Sequence, residues 1–111
     1  MIHVMLRMAF GPERCGEVLQ ILRPMAERTR LTPGCLGCNI YQDVHDAGVI
    51  LVEELWRSET ELGRHLRSDQ YREVLLVMEM ASEPPEVRFE EISRSSGVET
   101  IERERLGAAE A

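Results

Sequence analysis

Apolar and polar residues alternate from Ile2 to Phe10: Ile2, Val4, Leu6, Met8 and Phe10 fall on one side, His3, Met5, Arg7 and Ala9 on the other. That period of two is the signature of a strand. Gly11-Pro12 closes it and predicts a helix start, because proline at the first helical position forfeits no needed hydrogen bond. Cys15, Val18, Leu19, Leu22, Met25 and Ala26 then recur at helical spacing, a stripe suited to covering a sheet. Pro24 interrupts the stripe and predicts a kink near Gln20, since its ring clashes with the carbonyl four residues back. Thr32-Pro33-Gly34 is turn chemistry. A second strand is expected from Cys35 to Asp43, with Leu36, Cys38 and Ile40 on one face and Cys35, Gly37, Asn39 and Tyr41 on the other. After a loop over Val44 to Gly48, Val49 to Arg57 reads as the third strand.

Strand passes into helix at Ser58. Ser58 and Glu61 form a Ser-x-x-Glu capping box, and Leu62, His65 and Leu66 share one face of the short helix that follows. Ser68 reads as a second N-cap, leading a stripe of Tyr71, Val74, Leu75 and Met78. Glu83-Pro84-Pro85 stops the helix, and Val87 to Ile92 is the expected fourth strand. The order β-α-β-β-α-β predicts an α+β, ferredoxin-like domain with an antiparallel sheet. Met5 opposes Leu6 and Leu51 opposes Val52, so the first and third strands are apolar on both faces. Burying each such side chain is worth roughly 1.5–3 kcal/mol. Helices over one face and a second copy over the other therefore predict a homodimer through the sheet faces. The domain is expected to span residues 1–94. Residues 95–111 form a charged tail, either a loose appendage or a dimer arm.

Composition narrows the partners. At 111 residues the chain holds one core. A net charge of -7, with arginine supplying every basic side chain, leaves no stripe to neutralise phosphates, so no nucleic acid is expected. No apolar run is long enough to span a membrane, and His3 and Arg7 break the apolar N-terminal segment, which excludes a signal peptide. Three cysteines, an odd count, suggest a reducing compartment and a cytoplasmic protein. Cys35 and Cys38, three apart on a strand, should point to opposite faces, which argues against a dithiol or metal site. His3, His45 and His65 show no ligand spacing, so no metal is expected.

His65 is the candidate for proton transfer, bordering the Leu62–Leu66 stripe with Glu61 four residues earlier as its possible partner. Trp56 suits the core or a pocket wall. Asn39 and Tyr41 would hold a substrate oxygen if their face meets the helices, and would be interface contacts if it meets a partner. Tyr71 leads its stripe with the hydroxyl at the rim, and Gly63 leaves room for a ligand or is a tolerated surface glycine.

Pro33-Gly34-Cys35-Leu36-Gly37, Tyr41-Gln42-Asp43, and Glu54-Leu55-Trp56-Arg57-Ser58 followed by His65-Leu66 and Ser68 together resemble the antibiotic biosynthesis monooxygenase family, over about residues 2–93. The resemblance implies a dimeric α+β barrel with a pocket between sheet and helices in each subunit. The family includes cofactor-independent oxygenases of quinols and aromatic polyketides, haem-degrading enzymes and proteins of unknown activity. The haem-degrading pattern has an Asn on the first strand, a Trp after the third and a later His. Here the first strand has no Asn, His65 stands at the Trp position and the His position falls near Leu75, which counts against haem degradation. The quinol-oxidising pattern is closer, sharing Gly-Cys, Glu-x-Trp-x-Ser and His-Leu. It implies oxidation of a small aromatic or quinol by O₂ with no cofactor. His65 would be the base, with Trp56, Asn39, Tyr41 and Tyr71 in the pocket. The rival expectation is a non-catalytic small-molecule-binding or interaction protein of the same fold.

Overall fold

In the computed structural model, which describes residues 1–110, four strands form one antiparallel sheet: β1 (Ile2–Ala9), β2 (Cys35–Gln42), β3 (Val49–Trp56) and β4 (Glu86–Glu91). Their order is β2-β3-β1-β4, the arrangement of a split βαβ repeat. Helices α1 (Cys15–Arg30), α2 (Glu59–Leu66) and α3 (Arg72–Met80) pack on one face, with a 3₁₀ turn at Asp69–Tyr71 between the last two. The ferredoxin-like α+β fold expected from the sequence is the fold observed.

Strands β1 and β3 bury their even-numbered residues. Leu6, Met8 and Phe10 meet Val18, Leu22 and Met25 of α1, Ile50 and Val52 of β3, and Val74 and Val77 of α3. A smaller cluster of Ile2, Val4, Trp56 and Leu62 lies at the other end of the strands. On the opposite face His3, Met5, Leu51, Glu53 and Leu55 are half-buried, and Leu36 and Tyr41 are exposed. His3 Nε2 pairs there with Glu53 Oε2 at 3.0 Å, which keeps it away from His65 on the helix side. That face mixes apolar side chains with charge; it is less uniformly apolar than Met5 and Leu51 alone suggested.

Four local details depart from expectation. Helix α1 starts at Cys15, three residues beyond Pro12, because Pro12 is taken up in a turn closed by Arg14 N–H on the Gly11 carbonyl at 3.0 Å. The helix then runs through Pro24 to Arg30 unbroken; Pro24 and Gln20 are both exposed, so the carbonyl deprived of its donor faces water. A bulge between Cys35 and Gly37 pairs Cys35 with Trp56 and Gly37 with Leu55. The extra residue turns Cys35 to the helix side beside Cys38, correcting the expectation that the two thiols face apart. Residues 98–110 form a helix, α4 (Val98–Glu110), whose apolar Val98, Ile101 and Leu106 are exposed.

Gly34 fixes the turn into β2. Its φ is +89°, its carbonyl accepts from Arg57 N–H at 2.9 Å, and a Cβ built there collides with the Glu61 side chain. Gly34→Ala is expected to destabilise the domain by about 1–2 kcal/mol from the left-handed backbone alone, with more from displacing Glu61. Urea denaturation of the two proteins checks this; equal midpoints contradict it.

Candidate functional site

The end of β3 and the start of α2 assemble the site. Alternation along β3 places Glu54 and Trp56 on the helix-facing side. Ser58 stops the strand and caps α2 by accepting the Glu61 N–H at 3.3 Å, half of the expected capping box. One turn on, Leu62 and His65 point inward and are buried. Ser68 Oγ donates to the His65 carbonyl at 2.7 Å, ending the helix and starting the 3₁₀ turn that presents Tyr71.

Three rings and a carboxyl meet there. The His65 ring stacks on Trp56 with centroids 4.7 Å apart, and Tyr71 meets His65 edge-on at 5.3 Å. Trp56 Nε1–H donates to Glu54 Oε1 at 2.7 Å. His65 Nε2 lies 3.5 Å from that same oxygen, is buried, and has no hydrogen-bond partner among the described residues. The structure thus brings Trp56, His65 and Tyr71 together, and adds Glu54, which the sequence reading passed over. Its signal was available: a carboxylate two residues from Trp56 on the strand face that carries Val52 must enter the core.

Burial sets the charges. It raises the Glu54 carboxyl above its usual range, partly offset by the Trp56 N–H, and lowers the His65 imidazole. Both shifts favour neutral forms, so we read the 3.5 Å approach as a neutral pair at rest. Burial, then the nearby Glu54, pushes Tyr71 up to about 12. The consequences for stability have opposite signs. For Glu54 the unfolded chain binds fewer protons above pH 4.5, so stability falls as pH rises towards the folded pKa. For His65 the unfolded chain binds more protons below 6.5, so stability falls as pH drops. Glu54→Gln keeps an acceptor for Trp56 and removes the first loss. Its stability relative to the parent should rise as pH increases from 4.5 towards 8, measured by urea midpoints; a constant difference contradicts this.

Beside His65 opens a cavity of about 150 Å³ lined by Thr32, Pro33, Glu61, Arg64, His65, Ser68 and Gln70. Glu61 is not the partner of His65. It is held by Arg57, Nε to Oε1 at 2.9 Å and Nη2 to Oε2 at 2.6 Å, an i,i+4 pair that outcompetes a buried ring facing the other way. Asn39 and Tyr41 stand on the opposite sheet face, across from Glu53 and Leu51, and are not brought to His65. Asn39 Oδ1 accepts instead from Arg30 Nη2 at 3.4 Å. Burial, aided by Glu54, pushes the Cys38 thiol up to about 12, and burial raises Cys35 too, so neither is primed as a thiolate. Among the described residues no group of three or more His, Cys, Asp or Glu is placed to hold a metal, and no helix is long and apolar enough to cross a membrane.

The family described as antibiotic biosynthesis monooxygenase matches residues 1–75, which include β1 to β3, Glu54, Trp56, His65 and Tyr71. The chain belongs to the antibiotic biosynthesis monooxygenase family. Among solved structures, a crystal structure of an antibiotic biosynthesis monooxygenase is 25% identical, with TM-score 0.77 over 85% of this chain and all of that one. A conserved protein of Methanosarcina mazei Go1 is 26% identical, with TM-score 0.75 over 80% of this chain and 89% of its own. Rv0793 of Mycobacterium tuberculosis, at 23% identity and TM-score 0.78 over 86% and 98%, shares the fold. The uncharacterized Synechocystis protein sll1783 is 24% identical over 85 residues, 76% of this chain, and the match spans 58% of that protein's length. This family member therefore has monooxygenase-named relatives and a preformed cavity beside a buried Glu–His–Trp cluster edged by the half-buried Tyr71.

Proposed function

We propose that the protein is a cofactor-independent monooxygenase that oxidises a one-ring phenol or quinol with O₂. The observation that carries this is His65: buried, its Nε2 without a hydrogen-bond partner among the described residues, 3.5 Å from a buried carboxyl, and lining a cavity. An imidazole held neutral by burial is in the form that accepts a proton at neutral pH. With Nε2 turned to Glu54, the other nitrogen, Nδ1, takes the substrate's hydroxyl proton. As the imidazolium forms, the Glu54 oxygen beside Nε2–H accepts from it and steadies the new charge, an interaction that strengthens only once the substrate is an anion. The resulting phenolate reduces O₂. One oxygen atom enters the ring as a carbonyl and the other leaves as water, its hydrogens being the hydroxyl proton and the displaced ring hydrogen. The ring supplies all four electrons, so no external reductant is needed. Size supports a single ring: a cavity of roughly 150 Å³ is what benzene fills in a protein core.

Oxygen uptake with hydroquinone, catechol and a two-ring naphthohydroquinone tests the reading. Uptake is expected with the one-ring compounds; none with any substrate favours the rival, a binding module of the same fold.

The same reading includes a homodimer closed over the face of Met5, Leu51 and Leu55. Leu51→Glu should convert the dimer to a folded monomer in sedimentation velocity, and an unchanged dimer contradicts it. A chain ended at Arg94 tests α4 as a dimer arm, which predicts weaker association.

A further inference from the structure

Given the proposed chemistry, on which it rests, the geometry points to a substrate that carries a carboxylate on its ring, held by Arg64. The polar groups around the cavity are mostly committed. Thr32 Oγ1 donates to the Arg28 carbonyl at 3.2 Å, and Ser68 Oγ to the His65 carbonyl at 2.7 Å. The Glu61 carboxylate is matched by Arg57 and receives the Ser58 hydroxyl at 3.0 Å. Arg64 lines the same cavity, and among the described residues it forms no ion pair and no side-chain hydrogen bond. Its one acidic neighbour in the lining, Glu61, is already satisfied.

A guanidinium presents a planar fork of donors that matches a carboxylate. Arg64 and His65 are consecutive on α2 and both border the cavity. A single ring there can therefore put its hydroxyl on the imidazole and its carboxylate on the guanidinium. Charge adds to this: at -7 overall the protein repels anions, so an unpaired arginine beside His65 favours an anionic group there.

Anaerobic calorimetric titration reads binding without turnover, using 2,5-dihydroxybenzoate against hydroquinone, which lacks only the carboxylate. At least tenfold tighter binding of the acid is expected. The ratio should fall to near one in Arg64→Gln and persist in Arg67→Gln, an arginine of the same region outside the cavity. Equal affinities, a preference that survives Arg64→Gln, or no binding of either compound would overturn the assignment. Failure of the oxygenase reading looks different: an Arg64-dependent preference with no oxygen consumed in air leaves the ligand class standing and removes the reaction.

Discussion

His65→Ala is expected to lower the rate of oxygen uptake by about 10²–10⁴-fold, the range by which a positioned general base accelerates proton transfer. The ring is buried between Trp56 and Tyr71 with Glu54 at one nitrogen. Alanine therefore removes the base and leaves a space beside the indole that water can enter. A structural explanation of lost activity is separated by two further measurements. A substrate offered above its own hydroxyl pKa is already an anion, so the variant should recover much of the rate there. Glu54→Gln should retain activity at reduced rate with a shifted pH profile, because it removes an ionisable group beside the imidazole and keeps the ring in place. If His65→Ala turns over at the parent rate at neutral pH, the base is another group.

The second large effect is on stability. Trp56 is fully buried, spans the small cluster with Ile2, Val4 and Leu62, and donates to Glu54. Trp56→Ala should cost about 3–5 kcal/mol, the range for large aromatic truncations in cores. It also leaves a buried carboxyl without its donor. With total stabilities of about 5–15 kcal/mol for a domain, the variant should be partly unfolded near 37 °C. Because Trp56 is the only tryptophan, far-ultraviolet circular dichroism must follow the urea transition. A midpoint close to the parent's would mean the cluster is not the stabilising unit described.

What the sequence exposed was the scaffold. Alternation in β1 and β3, the helical stripe of α1 and the Ser58–Glu61 cap place β1, β3, α1 and α2, because each follows from local periodicity and capping. What it hid depended on tertiary partners. Glu61 is the arithmetic i,i+4 neighbour of His65, yet Arg57 captures it from the strand end, and Glu54 reaches His65 across the sheet–helix interface. The bulge at Leu36 resets the parity of β2, which no composition rule reveals. Asn39 and Tyr41 fall opposite the site because Cys38 and Ile40 take the inward positions. Pro24 does not end α1, and it faces water.

In the proposed reaction a buried imidazole lets a bound phenol react with O₂ unaided. The most direct measurement is turnover of a one-ring quinol by metal-chelated, flavin-free protein under ¹⁸O₂, with product mass read for the parent and for His65→Ala. The account predicts one ¹⁸O atom per product molecule with the parent and a rate at least a hundredfold lower in the variant. Unlabelled product, or label appearing equally fast without His65, would contradict it.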